Sequence, residues 1–102
     1  MDTDEVISEI GTAMENLLEK DENGFSWDLE NKVKKRVLID NDLYHLYSDR
    51  EIEEQMYWYS LFDDPELTEK QKIETLKVLI DKLTQWTKIE LSDTVLQWRK
   101  KI

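Results

Sequence analysis

Apolar residues recur every three or four positions along most of this chain, most regularly between Thr68 and Trp86. There Ile73, Leu76, Leu79, Ile80, Leu83 and Trp86 fall on one broad stripe of an α-helix. Thr68 followed three residues later by Gln71 forms a capping box that marks where the helix starts. Lys70, Glu74, Lys77 and Asp81 alternate in sign on the outward side, a solvated and ion-paired face. This is the best-specified element, and the rest of the chain is expected to pack around it.

The same period predicts a first helix over 4–20, with Val6, Ile7, Ile10, Ala13, Met14, Leu17 and Leu18 inward and Asp2 or Thr3 as N-cap. Gly11 weakens its middle. Asp21, Glu22, Asn23 and Gly24 end it, with Gly24 or Asn23 suited to a left-handed C-terminal residue. Ser26 is the expected cap of a second segment over about 27–39, where Trp27, Leu29, Val33 and Val37 trace an apolar line and Phe25 staples the entry. Its β-branched end leaves strand open as an alternative to helix for residues 34–39. Asp40, Asn41 and Asp42 interrupt the pattern, and Leu43, Tyr44, Leu46 and Tyr47 then make a short turn capped by Asp42.

Ser48 with Glu51 is a second capping box and predicts a long helix from Asp49 to about Phe62. Ile52, Met56, Tyr59 and Phe62 line one side of it, while Tyr57, Trp58 and Leu61 fall on the others among Glu53 and Glu54. A helix apolar nearly all round either runs through the middle of a bundle or has its second face covered by another molecule. Asp63, Asp64 and Pro65 stop it. After the helix that starts at Thr68, Ser92 caps a last one carrying Val95, Trp98 and Ile102, with Arg99, Lys100 and Lys101 at the end where the dipole favours cations. The fold class expected is all-α: a small antiparallel bundle of four main helices plus a short helical turn, in one domain spanning 1–102.

Composition agrees. In 102 residues there are only two Gly and one Pro, and 39% hydrophobic content with ten aromatic side chains is too apolar for a disordered chain. With no cysteine there are no disulfides, thiol nucleophiles or thiolate metal sites. The acidic N-terminal stretch does not read as a signal peptide and no run approaches transmembrane length, so the expected compartment is the cytoplasm.

The net charge of −10 is laid out in blocks: −9 over residues 1–30, +4 over 31–39, −9 over 40–69 and +4 over 70–102. Acidic blocks of that density repel phosphates and anionic lipid and attract a basic partner over distance. The plainer reading is that the charge only keeps the protein soluble.

Candidate chemistry is sparse. His45 is the single histidine, so neither a histidine metal site nor a histidine-centred triad has its parts, and the residue reads as structural or surface. Asp40, Asn41 and Asp42 share the opening of a calcium loop but lack its glycine. Gly11 and Gly24 are too isolated to cradle a phosphate. No cofactor, metal or catalytic residue is expected. Lys32, Lys34, Lys35 and Arg36 form the one basic run, read as a solvated helix face or an internal partner for the acidic blocks, and direct nucleic-acid binding is not expected.

The pattern with the best claim to function is acidic and aromatic together: Tyr44, Tyr47, Asp49, Glu53, Glu54, Tyr57, Trp58, Asp63 and Asp64. Aromatic anchors ringed by charge make protein-binding hot spots. The competing reading is that Tyr57 and Trp58 are core residues of a central helix. The function expected is a small acidic inhibitor that occludes a basic partner, a nuclease or other nucleic-acid enzyme. The alternative is a structural or adaptor domain acting through homodimerisation. In size, acidity and helical character the chain is similar to small nuclease-immunity proteins and to phage-encoded inhibitors of host enzymes; no motif aligns, and no residue roles carry over.

Overall fold

The computed structural model describes residues 2–19 and 25–102, apart from the side chains of Leu18, Glu19, Phe25 and Ser26. Within them the chain is all-α: α1 (Thr3–Glu19), α2 (Phe25–Asp40), α3 (Asp49–Gln55), α4 (Glu69–Trp86) and α5 (Asp93–Lys101), with 3₁₀ segments at Tyr44–Leu46 and Trp58–Asp63. Five α-helices and two 3₁₀ segments thus stand where four main helices and one turn were expected: the short C-terminal helix after Ser92 is a fifth, and the second 3₁₀ segment comes from the helix expected over 49–62. The body is a slab of 36 × 35 × 19 Å, about two helices thick at the usual interaxial spacing.

The element at its centre is α2, not α4. It packs against α1, α3, α4 and both 3₁₀ segments, whereas α4 rests on α2 and α1, and α5 on α1. Residues 34–39 are helical, which closes the strand alternative. α2 begins at Phe25, so Ser26 lies inside the first turn and not at the cap. The reversal assigned to Asp21–Gly24, the packing of Leu18 and Phe25 and any contact of the Ser26 side chain lie outside the described residues.

Most local signals are realised. The Asp2 carboxylate accepts from the Glu5 amide at 2.9 Å, which leaves the buried Thr3 hydroxyl to donate to Glu69 at 2.6 Å and tie α1 to α4. Both arms of the Thr68/Gln71 box form, at 3.1 and 2.9 Å, and Ser92 accepts from Val95. On α4, Leu76, Leu79, Ile80 and Leu83 are buried against Val6, Ile10 and Met14 of α1 and Leu29, Val33, Val37 and Leu38 of α2 in one core. Outside it, Lys77 pairs with Glu74, and Asp81 receives both Arg99 Nε and Nη2, at 3.1 and 2.9 Å, joining α4 to α5. Ile102 lies beyond α5 and is exposed.

Asp42 does not cap the turn that follows it. It closes α2: its own amide donates to the Ile39 carbonyl and the Leu43 amide to the Leu38 carbonyl, a Schellman motif with Asp42 in the left-handed region at φ 57°. An aspartate tolerates that conformation better than most side chains, and Leu43 packs back against the core that holds Leu38. The 3₁₀ turn starts from Leu43 with no side-chain cap.

The long third helix is broken. Ser48 caps its start, accepting from the Glu51 amide, but the Glu51 carboxylate accepts from the Ser48 hydroxyl and not from its amide, so only one arm of the expected capping box forms. α3 then stops at Gln55, and Met56 and Tyr57 are extended, at φ −119°, ψ 139° and φ −94°, ψ 139°. A continuous helix would put Tyr59 on the inner side and Trp58 out. Two extended residues re-aim the chain so that Trp58, Leu61 and Phe62 join Ile52 in the core and Tyr59 leaves it. Burying an indole and a leucine instead of a phenol favours this by a few kcal/mol, on the order of the transfer energies of those side chains.

The carbonyls released by the break are met from below. Lys34, only 1% exposed on the inner side of α2, donates its Nζ to the Glu53 carbonyl at 3.4 Å and the Met56 carbonyl at 3.2 Å. A buried ammonium thus takes the place of the missing helical amides. Lys34→Ala should cost about 2–4 kcal/mol, combining unpaired carbonyls with a void. Lys34→Met leaves the same carbonyls unpaired but keeps the stem and removes the dehydrated charge, so it should cost less than Lys34→Ala by about 1–2 kcal/mol. Urea unfolding of the two variants beside wild type measures both, and equal losses would show that the carbonyl contacts, not the packing of the stem, dominate.

Candidate functional site

Three aromatic side chains stand in solvent, of which helical periodicity assigns Trp27 and Tyr59 to the interior and Tyr57 to an outer side. Trp27, in the first turn of α2, is 63% exposed; Tyr57, on the extended link, is 63% exposed; Tyr59 is 49% exposed. Tyr57 and Tyr59 stack with centroids 5.5 Å apart and planes 14° from parallel. Trp58 lies behind them, 6% exposed, edge-on to Tyr59 at 6.0 Å and to Phe62 at 6.3 Å. The extended link produces this: successive residues of extended chain point to opposite sides, so Tyr57 faces out and Trp58 in.

Two cavities flank Tyr57. One, of about 250 Å³, lies between α1 and the link and is lined by Gly11, Met14, Glu15, Glu30, Tyr57, Trp58 and Tyr59. The other, of about 220 Å³, is lined by Trp27, Glu30, Lys34, Glu53, Glu54, Gln55, Met56 and Tyr57. Both are small for a cofactor. Four carboxylates surround the aromatic patch. Glu53 is 3.7 Å from Lys35 and Glu54 3.1 Å from Arg50, exposed pairs of little energetic weight. Glu15 and Glu30 have no cation within 4 Å among the described residues.

The expected site residues therefore separate. Tyr57, Glu53 and Glu54 meet around one cavity, and Tyr57 and Trp58 around the other, with Trp58 as buried wall and not exposed anchor. Tyr44 and Tyr47 are half-buried against the core, and the Tyr44 hydroxyl donates to Asp49 at 2.9 Å. That bond, with the charge of Asp49, raises the Tyr44 hydroxyl above the ordinary phenol value. Asp64 accepts from the Glu66 amide in a tight turn after the second 3₁₀ segment, and neither it nor Asp63 lines the two cavities. Trp27, Tyr59, Glu15, Glu30 and Gly11 belong to the patch and were missed. The signal that could have found Trp27 is its place one residue beyond the Ser26 expected to cap the helix, where burial is not enforced.

The basic run is spent internally. Lys32 lies 5.8 Å from the centroid of the Trp86 ring, Lys34 holds the link, Lys35 approaches Glu53, and Arg36 pairs with Asp40 at 3.2 Å. The Asn41 amide donates to the Val37 carbonyl and to Thr75, so Asp40, Asn41 and Asp42 all serve the end of α2. His45 is exposed, 3.8 Å from Asp42. Among the described residues no three His, Asp or Glu side chains converge to hold a metal ion, and no helix is long and apolar enough to cross a membrane.

Burial pushes the Lys34 ammonium below its ordinary value of 10.5; Glu30 and Glu53 oppose this and Lys35 adds to it. The unfolded amine keeps the ordinary value, so between the folded value and 10.5 the unfolded chain binds more protons and stability rises with pH. The unfolding free energy should accordingly climb more steeply over the alkaline range in wild type than in Lys34→Met; superimposable slopes would contradict it. Gly11 generates a second expectation. A Cβ built there meets Trp58 Cζ2 at 3.6 Å, an ordinary contact, so Gly11→Ala should stabilise α1 by about 0.5–1 kcal/mol, seen as a higher urea midpoint at unchanged slope. No family model, curated protein or solved structure matches this chain.

Proposed function

We propose that this chain is a small acidic protein-binding inhibitor that docks on a basic, nucleic-acid-handling partner and occludes it. The observation that carries the reading is the exposure of Trp27, Tyr57 and Tyr59 side by side, bordered by Glu15, Glu30, Glu53 and Glu54. Large rigid aromatics cost little entropy to immobilise and act as anchors, and the surrounding carboxylates steer a cationic surface toward them. Each side chain of the basic run has a partner within the molecule, and the net charge of −10 that acts at a distance is negative. The carboxylates would compete with phosphates for the partner's Lys and Arg, while Trp27 and Tyr57 slow dissociation.

The alternative, assembly through a second copy of the chain, draws on the same exposed aromatics and differs in its salt response. Capture from the source organism with immobilised wild type, Tyr57→Ala and Glu53→Lys/Glu54→Lys separates them. Wild type should retain a basic protein at low salt and release it at high salt. Tyr57→Ala should weaken retention by about 30-fold or more, the size of a hot-spot loss, and the charge reversal should lower the association rate about 10-fold. The captured protein should lose nucleic-acid binding when wild type is added back. A concentration-dependent dimer on a sizing column with no salt-sensitive partner would favour the assembly reading instead.

A further inference from the structure

We propose that the cavity between α1 and the aromatic link receives the guanidinium group of an arginine presented by a partner protein; this rests on the protein-binding reading above and names its chemistry. Three features converge there. The wall is aromatic: Tyr57 and Tyr59 form a flat, part-exposed stack, with the Trp58 ring edge-on behind it. A planar, weakly hydrated cation stacks on such faces better than a compact ammonium does. The rim holds two carboxylates from different helices, Glu15 of α1 and Glu30 of α2, neither within 4 Å of a cation among the described residues. A guanidinium offers five donors in a rigid fork, enough to serve two carboxylates at once.

The space itself depends on Gly11. A glycine in the middle of α1 weakens the helix, and nothing nearby demands it, since an added Cβ would only touch Trp58 at 3.6 Å. What Gly11 does is keep one wall of the cavity flat, leaving about 250 Å³ beside Trp58. The neighbouring cavity is a poor cation receptor because the Lys34 ammonium lies in its wall. Glu30 borders both cavities, and Glu15, remote from Lys34 in the lining, belongs to the α1 side alone, which favours that side for the arginine.

The test uses N-acetyl-arginine amide, N-acetyl-citrulline amide and N-acetyl-lysine amide as probes, titrated at low salt into isotopically labelled protein. Only two glycines occur in the chain, so the Gly11 amide is readily assigned. The arginine probe should give saturable shifts at the Gly11 amide, the Trp58 indole and the Tyr57 and Tyr59 rings, with a dissociation constant on the order of 1 mM, as suits a ligand of that size. The neutral citrulline probe should give none and lysine should bind several-fold more weakly. Glu15→Gln with Glu30→Gln should weaken arginine at least 10-fold while the amide spectrum stays dispersed. Gly11→Met, which fills the space, should abolish binding; if it unfolds, the carboxamide pair alone decides.

Shifts that do not saturate, equal binding of citrulline or lysine, or indifference to the carboxamide pair would each overturn the assignment. A partner lost by Tyr57→Ala, with no arginine site, would leave the protein-binding reading standing without it. Arginine binding with no salt-sensitive partner would leave the site and remove that reading. If wild type is a dimer that Arg50→Gln dissolves, the occupant is the chain's own arginine and the assignment to a foreign partner falls.

Discussion

A single ammonium group beneath the end of α3 conditions the rest of this molecule. Lys34 is surrounded by the chain, yet it makes no ion pair within 4 Å among the described residues; its partners are two backbone carbonyls. Burying an unpaired charge is costly, and what offsets the cost is that the link at Met56 and Tyr57 would otherwise leave those carbonyls without donors. The lysine permits the break, the break directs Trp58 inward, and the indole fills the region where α2 meets the second 3₁₀ segment.

How far this was legible from residues alone depends on where side chains obey local rules. α1, α4 and α5 were readable because their apolar stripes and caps agree: Val6, Ile10 and Met14, or Leu76, Leu79 and Leu83, are buried as their spacing demands. α2 was recognisable as a segment but not as the centre of the molecule. A helix that touches five other elements should be apolar on most sides, and this one places a lysine inside and leaves Trp27 and Ile39 outside. Periodicity averages over such exchanges and returns a weak amphipathic helix. The break after Gln55 was invisible for a related reason: no Pro or Gly marks it, and the group that meets its carbonyls sits some twenty residues upstream at Lys34.

Those exceptions coincide with the candidate site. Trp27 and Tyr59 are exposed against the apolar pattern, Lys34 is buried against the polar one, and Gly11 weakens a helix at the point where that helix borders a cavity. Departures from local consistency concentrate where a sequence answers to something besides folding. The charge layout fits the same view. The +4 block at residues 31–39 lies against Trp86, Glu53, Asp40 and the carbonyls of the link, and with it counted the molecule still carries −10, an excess that acts at a distance.

Met56 and Tyr57 are adjacent residues, one fastened to the buried ammonium of Lys34 and the other displayed to water. Load applied to that phenol therefore reaches the middle of the molecule through one peptide plane, with no lever arm to dissipate it. Occupancy at the rim and cohesion of the interior become two expressions of one free energy, and by mass action whatever grips the outside also holds the chain folded.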